Sequence, residues 1–190
     1  FELMDLTAID VTHPATNLIY QQFYHETRYR PSTLMNTRME AGLLGRKTGE
    51  GFYVYEGGKQ QIPEEEEAPN YDGRAVWVSQ VHVHAYEQII SLLNKLNATL
   101  DEGEEPDNHS LCIISPLGVD ATTAAIEEGL DPEHTIAIDT LFNLSLRRTL
   151  MKTPVTNPAY TASAHGLFAS DGIPVTVVRD SSGFVAQRIL

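Results

Sequence analysis

The sequence predicts an α/β fold, a small and mostly parallel sheet with flanking helices, preceded by an all-α segment. Three observations predict it. Between Ala75 and Val178, short β-branched apolar runs alternate with stretches of helical periodicity, the pattern of βαβ units. Before Tyr55 the regular stretches carry helical spacing. Between the two, from Glu56 to Arg74, the composition shifts to Gly57-Gly58, Pro63, Pro69 and the acidic run Glu64 to Glu67, as in a solvated linker. The 190 residues suit one medium domain or two small ones and can bury a core without disulfides.

In chain order, Leu18, Ile19, Gln22 and Phe23 begin an apolar helical stripe, with Pro14 placed where a first turn tolerates proline. Pro31-Ser32-Thr33 starts a second helix through Met39, and Gly42 stands where a helix ends on a left-handed residue. Leu43 to Gly51 holds too many glycines for a helix and leads into the β-prone run Phe52 to Tyr55. Ala75 to Ser79 reads as a buried strand, Ala85 to Leu100 as a helix, and Leu111 to Ile114 as a second strand. Asp120 caps a helix running to Gly129. Thr135 to Ile138 is a third strand, Thr156 or Asn157 caps a last helix ending near Gly172, and Pro174 to Val178 is the final strand.

With 26 acidic and 13 basic side chains, the net charge is −13, which argues against nucleic acid and anionic membrane as partners. Nothing approaches the ~18 unbroken apolar residues of a membrane span. The single cysteine excludes a disulfide framework. Phe1 to Asp5 is neither a signal nor a transit peptide. The expectation is a soluble, cytoplasmic protein, and Phe1, not being an initiator, points to sequence upstream.

Gly45-Arg46-Lys47-Thr48 superficially resembles a phosphate loop. A helix precedes it, an aromatic run follows, and the glycine spacing is wrong; a turn with a basic rim fits better. His82 and His84 would share a face of a strand, as metal ligands can, but no third ligand is near, so no metal is expected. Cys112, set among Leu111, Ile113 and Ile114, reads as a buried inert thiol. Three Asn-X-Ser/Thr triplets, at Asn97, Asn108 and Asn143, are chance matches without a secretory signal. After Ala75 to Ser79 a dinucleotide site would need glycines, then an acidic residue ~20 positions on for the ribose. The chain offers Gln80, His82 and Ala85 at the glycine positions. Its next acids, Asp101, Glu102, Glu104 and Glu105, fall in a loop with no strand expected to lead to it. The fold signal of a reduced Rossmann-like sheet is present without its binding signal.

Three motifs resemble 3-hydroxyacyl-CoA dehydrogenases. Phe1 to Asp10 resembles their "GPFEL-D-x-GLD" helix. Gly45 to Tyr53 resembles the "G(R/K)KTGxGFY" turn of their helical C-terminal domain. Gly183 to Arg188 resembles "GFxxNR", which joins their nicotinamide domain to the next helical domain. The resemblance implies four segments: residues 1–55 as the later part of a helical domain, 56–74 as acidic linker, 75–180 as a degenerate Rossmann-like domain, and 181–190 as the start of a second helical domain. It also puts degenerate residues at the family's working positions. Thr140, in Thr140-Leu141-Phe142-Asn143-Leu144, matches the histidine of "HFFNP". Thr149, before Lys152-Thr153-Pro154, matches the orienting glutamate. Gln187 matches the asparagine of "GFxxNR". A threonine hydroxyl cannot take a substrate proton near neutral pH as imidazole does.

The resemblance therefore implies an NAD-dependent parent that oxidises 3-hydroxyacyl-CoA to 3-oxoacyl-CoA in β-oxidation-like breakdown. This part would contribute to the acyl-CoA cleft and to homo-oligomeric contact, with no catalytic residue and no bound NAD of its own. Leu111 to Met151 resembles bacterial phenylacetate-pathway members, pointing to a short or dicarboxylic acyl-CoA. The alternatives are an independent nucleotide enzyme built on residues 75–180 and a non-enzymatic assembly module with a Rossmann-like fold.

Overall fold

The computed structural model describes residues 1–62, 65, 67–184 and 187–188. The chain forms two compact units, Phe1–Glu64 and Glu65–Leu190.

The first unit holds helices α1 (Glu2–Thr7), α2 (Ile9–Gln22) and α3 (Thr33–Glu40), 3-10 turns at Thr27–Tyr29 and Arg46–Thr48, and a short hairpin of β1 (Tyr55–Glu56) and β2 (Lys59–Gln60). Helix α2 starts earlier than expected because Ile9 is sealed in the core and its N–H donates to the Leu44 carbonyl at 3.0 Å. Pro14 is thus inside the helix, where it cannot bond back to the Asp10 carbonyl. The apolar stripe of α2 faces solvent in this unit. Leu18 is 58% exposed and Phe23 52%, while α2 buries Ile9 and His13. Gly42, at φ +74°, follows Ala41, the C-cap of α3, as expected.

Ala8, between α1 and α2, is buried with φ 70° and ψ 140°, a backbone state open at low cost only to glycine. Such strain costs ~1–3 kcal/mol, against ~0.5–1 kcal/mol for the extra freedom of an unfolded glycine. Ala8→Gly should therefore raise stability by about 1 kcal/mol, read as a higher urea midpoint at unchanged slope. An unchanged or lower midpoint would contradict it.

The second unit is a five-stranded sheet in the order β3 (Val76–Val78), β4 (Leu111–Ile114), β5 (Thr135–Ile138), β6 (Arg148–Lys152), β7 (Val175–Arg179). All pairs are parallel except β5 with β6. Helices α4 (Val83–Lys95) and α6 (Pro158–Ala169) cover one face, where Ile89, Leu93, Leu167 and Phe168 pack over Val78, Ile113, Ile136 and Leu150. Helix α5 (Ala121–Glu127) and Phe184 cover the other, over Trp77, Cys112, Ile114 and Met151. Asp120 and Asn157 cap α5 and α6 through the N–H groups of Thr123 and Ala159.

Strand β6 was not expected from the sequence. Its charged ends hide a core segment, and Arg148 is buried only because partners surround its guanidinium. Two helices on opposite faces also could not both make right-handed crossovers running β3–β4–β5. Leu100 resolves this. It pairs in parallel with Val76, with Val76 N–H donating to the Thr99 carbonyl at 2.8 Å and Asp101 N–H to the Val76 carbonyl at 2.9 Å. The α4 crossover thus ends on a one-residue strand, and the loop after it returns to β4.

The stretch expected as linker carries structure at both ends. Residues 55–60 form the hairpin of the first unit. In the second, Ser163 Oγ donates to Asp72 Oδ1 at 2.6 Å, and Arg74 stacks 3.7 Å from the Tyr160 ring centre. Gly166 is required there, since a Cβ would lie 2.7 Å from Tyr71 N. Pro63, and Glu64 and Glu66 of the acidic run, lie outside the described residues. Among the described residues no helix is long and apolar enough to cross a membrane.

Candidate functional site

In open α/β sheets ligands sit beyond the carboxyl ends of parallel strands. Here those ends lead to Ser79-Gln80-Val81-His82 after β3, Ser115 to Gly118 after β4, and Asp139-Thr140 after β5.

The turn after β3 has no glycine. Gln80 projects into solvent, His82 is the N-cap of α4 without a side-chain cap bond, and Ala85 is buried in the first turn of that helix. Ser79 Oγ accepts from Val81 N–H at 3.3 Å. Glu128, at the end of α5, lies close enough to Ser79 and His82 for both to act on its carboxyl group, whose pKa burial nonetheless raises. A carboxyl group beside this turn opposes a phosphate electrostatically. His84 is the 98%-exposed partner of Glu87 on α4, on a helix rather than a strand. Among the described residues no group of three His, Cys, Asp or Glu could hold a metal.

Asp101 corrects one sequence expectation. A strand does lead to it, because Leu100 pairs with Val76, so it stands where a ribose-binding acid would. Its oxygens are already engaged. Oδ1 accepts from Gly103 N–H at 3.1 Å, and Oδ2 from Asp107 N–H at 2.8 Å and Ser110 Oγ at 2.6 Å. The Ser110 hydrogen bond, first among these, lowers its pKa. The residues present therefore do not fit a dinucleotide: the turn lacks its cradle, and the acid is spent on its own loop.

Thr140 follows β5, its Oγ1 2.8 Å from Ser115 Oγ. Thr149 lies on the neighbouring strand β6, its carbonyl accepting from Asp139 N–H at 3.0 Å. The two threonines thus stand at one end of the sheet, each with a hydrogen bond inside the unit. Burial raises the Asp139 carboxyl. Gln187 spans the loop after β4, accepting from Gly118 N–H at 2.9 Å and donating to the Pro116 carbonyl at 3.1 Å. Val185 and Ala186 of the same motif lie outside the described residues. Cys112 is 2% exposed, and burial pushes its thiol up to about 12, leaving it protonated and unreactive.

In the first unit, the glycine-rich turn is organised by a residue the sequence reading passed over. Asp5 is fully buried. Its oxygens accept from Phe52 N–H at 2.8 Å, Tyr53 N–H at 2.9 Å and Tyr55 Oη at 3.1 Å. Those N–H groups are why Phe52 and Tyr53 do not extend the strand. A Cβ on Gly45 would sit 2.6 Å from Asp5 Cα, and one on Gly51 would collide with Asp5 Oδ1 and lie 2.5 Å from Gly45 Cα. Arg38 caps the arrangement, stacking 4.6 Å from the Phe52 ring centre. An acid on a helix, paired with the glycines Gly45, Gly49 and Gly51 of one later turn, was the available signal.

Residues 1–55 match a family described as 3-hydroxyacyl-CoA dehydrogenase, C-terminal domain. A probable 3-hydroxybutyryl-CoA dehydrogenase of Deinococcus radiodurans is 42% identical over 53 residues, 28% of this chain and 19% of that protein. A 3-hydroxybutyryl-CoA dehydrogenase of Bradyrhizobium diazoefficiens is 44% identical over 62 residues, 30% of this chain and 20% of that one. The chain spans about a fifth of the length of these curated relatives. The solved 3-hydroxybutyryl-CoA dehydrogenase of Escherichia coli shares the fold with a TM-score of 0.62 at 20% identity, over 98% of this chain and 34% of that one.

Proposed function

From the match of residues 1–55 to the 3-hydroxyacyl-CoA dehydrogenase C-terminal domain family, we propose that this chain is the non-catalytic part of an NAD-dependent 3-hydroxyacyl-CoA dehydrogenase. The whole enzyme oxidises the 3-hydroxyl of an acyl-CoA to a ketone with NAD as hydride acceptor. This chain supplies part of the acyl-CoA cleft through its first unit and acts as scaffold through its second. The observation that carries this reading is Asp101, at the ribose position yet saturated by Gly103, Asp107 and Ser110. Exposed Leu18, Ile19, Phe23 and Leu34 support a role in self-association or in contact with the rest of the enzyme.

The test is calorimetric titration with NAD, paired with turnover of 3-hydroxybutyryl-CoA. The chain should bind NAD more weakly than roughly 100 μM, about −5.5 kcal/mol. Neither it nor Thr140→His should reduce NAD, because restoring imidazole repairs neither the turn at Gln80 and His82 nor Asp101, and losses within one constellation do not add. A longer chain that includes this one should be active. Binding at or below that concentration, or turnover by this chain, would overturn the scaffold role. An inactive longer chain would overturn the dehydrogenase assignment.

A further inference from the structure

We propose that Asp180, Gly183, Phe184 and Gln187 act together as a strap that locks the β4–α5 connection onto the carboxyl end of the sheet. This deepens the scaffold reading and rests on it only for its purpose, since the strap is defined by its own contacts.

Three separate attachments converge on one connection. The first is at its far end, where Asp180 receives the opening N–H groups of α5. Oδ1 accepts from Ala121 N–H at 2.7 Å, and Oδ2 from Thr122 N–H at 3.3 Å and from the Thr122 hydroxyl. Asp120 already accepts from Thr123 N–H at 2.8 Å, so two acids from different parts of the chain share the exposed donors of one short helix. The second is apolar. Phe184, 2% exposed, inserts into the core beneath α5 with Ala121, Ala125 and Ile114. The third is Gln187, whose amide takes both Gly118 N–H and the Pro116 carbonyl. Gly183 N–H adds a bond to the Val119 carbonyl at 3.2 Å.

Gly183 makes the geometry possible. Its φ is +76°, and a Cβ there would lie 2.9 Å from Gln187 Oε1 and 3.5 Å from Gly118 Cα. The chain therefore turns in the one way that returns Gln187 over the loop. Glutamine suits the position because a single side chain must accept from an N–H and donate to a carbonyl two residues apart. Asparagine is one methylene shorter, and glutamate has no donor for Pro116. Arg188 N–H bonds the Phe184 carbonyl at 3.2 Å. Gln187 is on this account a positioning residue: it touches no reacting atom and holds the loop after β4 in place.

Amide hydrogen exchange of the intact chain tests this, comparing wild type with Gln187→Ala and Gln187→Glu. In Gln187→Ala the amides of Gly118 and Arg188 should exchange about 10-fold faster, the loss of roughly one hydrogen bond's net protection, while Ile113 and Ile136 in the sheet keep theirs. Gln187→Glu keeps an acceptor for Gly118 but faces the Pro116 carbonyl with a second acceptor. It should retain part of the Gly118 protection and lose that of Arg188. Unchanged exchange at Gly118 and Arg188 in Gln187→Ala would overturn the strap, and so would an equal loss at Ile113 and Ile136, which marks general loosening. Failure here leaves the NAD titration untouched, and NAD binding would remove the scaffold role while leaving the strap in place.

Discussion

Asp5→Ala should unfold the first unit while leaving the second intact. The substitution strands the Phe52 and Tyr53 N–H groups away from water, at ~1–3 kcal/mol each, and opens a void among Gly45, Gly51 and Tyr55. A total of about 3–5 kcal/mol follows, and a 64-residue unit has little more than that to lose. The readout is built in. The only tryptophan is Trp77, buried in the second unit, so its fluorescence transition should keep its midpoint while the helical circular dichroism of the first unit is lost. Gly51→Ala should have a similar effect from the opposite side, pressing a methyl group on the same Asp5 oxygen. The double substitution should cost little more than either alone, because both disrupt one site. A helical signal unchanged in Asp5→Ala would show that the turn holds without its acceptor.

Arg148→Met should destabilise the second unit by about 3 kcal/mol. Arg148 is 2% exposed. Its Nε donates to the Leu144 carbonyl at 3.0 Å, and its terminal nitrogens to the Phe168 carbonyl and to Asp171 at 2.6 and 2.7 Å. Methionine fills similar volume but leaves both carbonyls without a donor. Asp171 is 38% exposed on its side chain, so water can take it back, and the cost falls on the arginine side.

The pair also sets a pH dependence. Arg148, chiefly through its hydrogen bonds, lowers the Asp171 carboxyl below its usual range. A carboxyl lower when folded than unfolded stabilises above the unfolded value, near 3.9, and loses that contribution as pH falls through the folded one. Stability should therefore fall below about pH 4 in the wild type. In Arg148→Met the Asp171 share of that fall should disappear, read from Trp77 unfolding midpoints at pH 3 to 7. An equally steep acid limb in the variant would place the titrating group elsewhere.

The sequence by itself determined the elements whose signal is local. The apolar runs at Leu111 to Ile114 and Thr135 to Ile138 became β4 and β5 in register, Asp120 and Asn157 became caps, and Gly42 ended α3. Each depends on a few neighbouring side chains and on backbone preferences that a short window contains. The turn motif at Gly45 to Gly51 was equally legible as a pattern, yet its cause was not. Only the fold brings Asp5 to Phe52, across 47 positions. Tertiary structure alone likewise decided β6, whose buried Arg148 looks like a surface residue until Asp171 and two carbonyls surround it. It decided the fate of Asp101, since pairing of Leu100 with Val76 gives no local periodicity. And it turned the Leu18 and Phe23 stripe outward in its unit, because which face of α2 is buried depends on Leu44 meeting Ile9. Hydrogen-bonding partners far apart in the chain decided what each polar residue does, and their meeting is a property of the folded core, absent from any window of sequence.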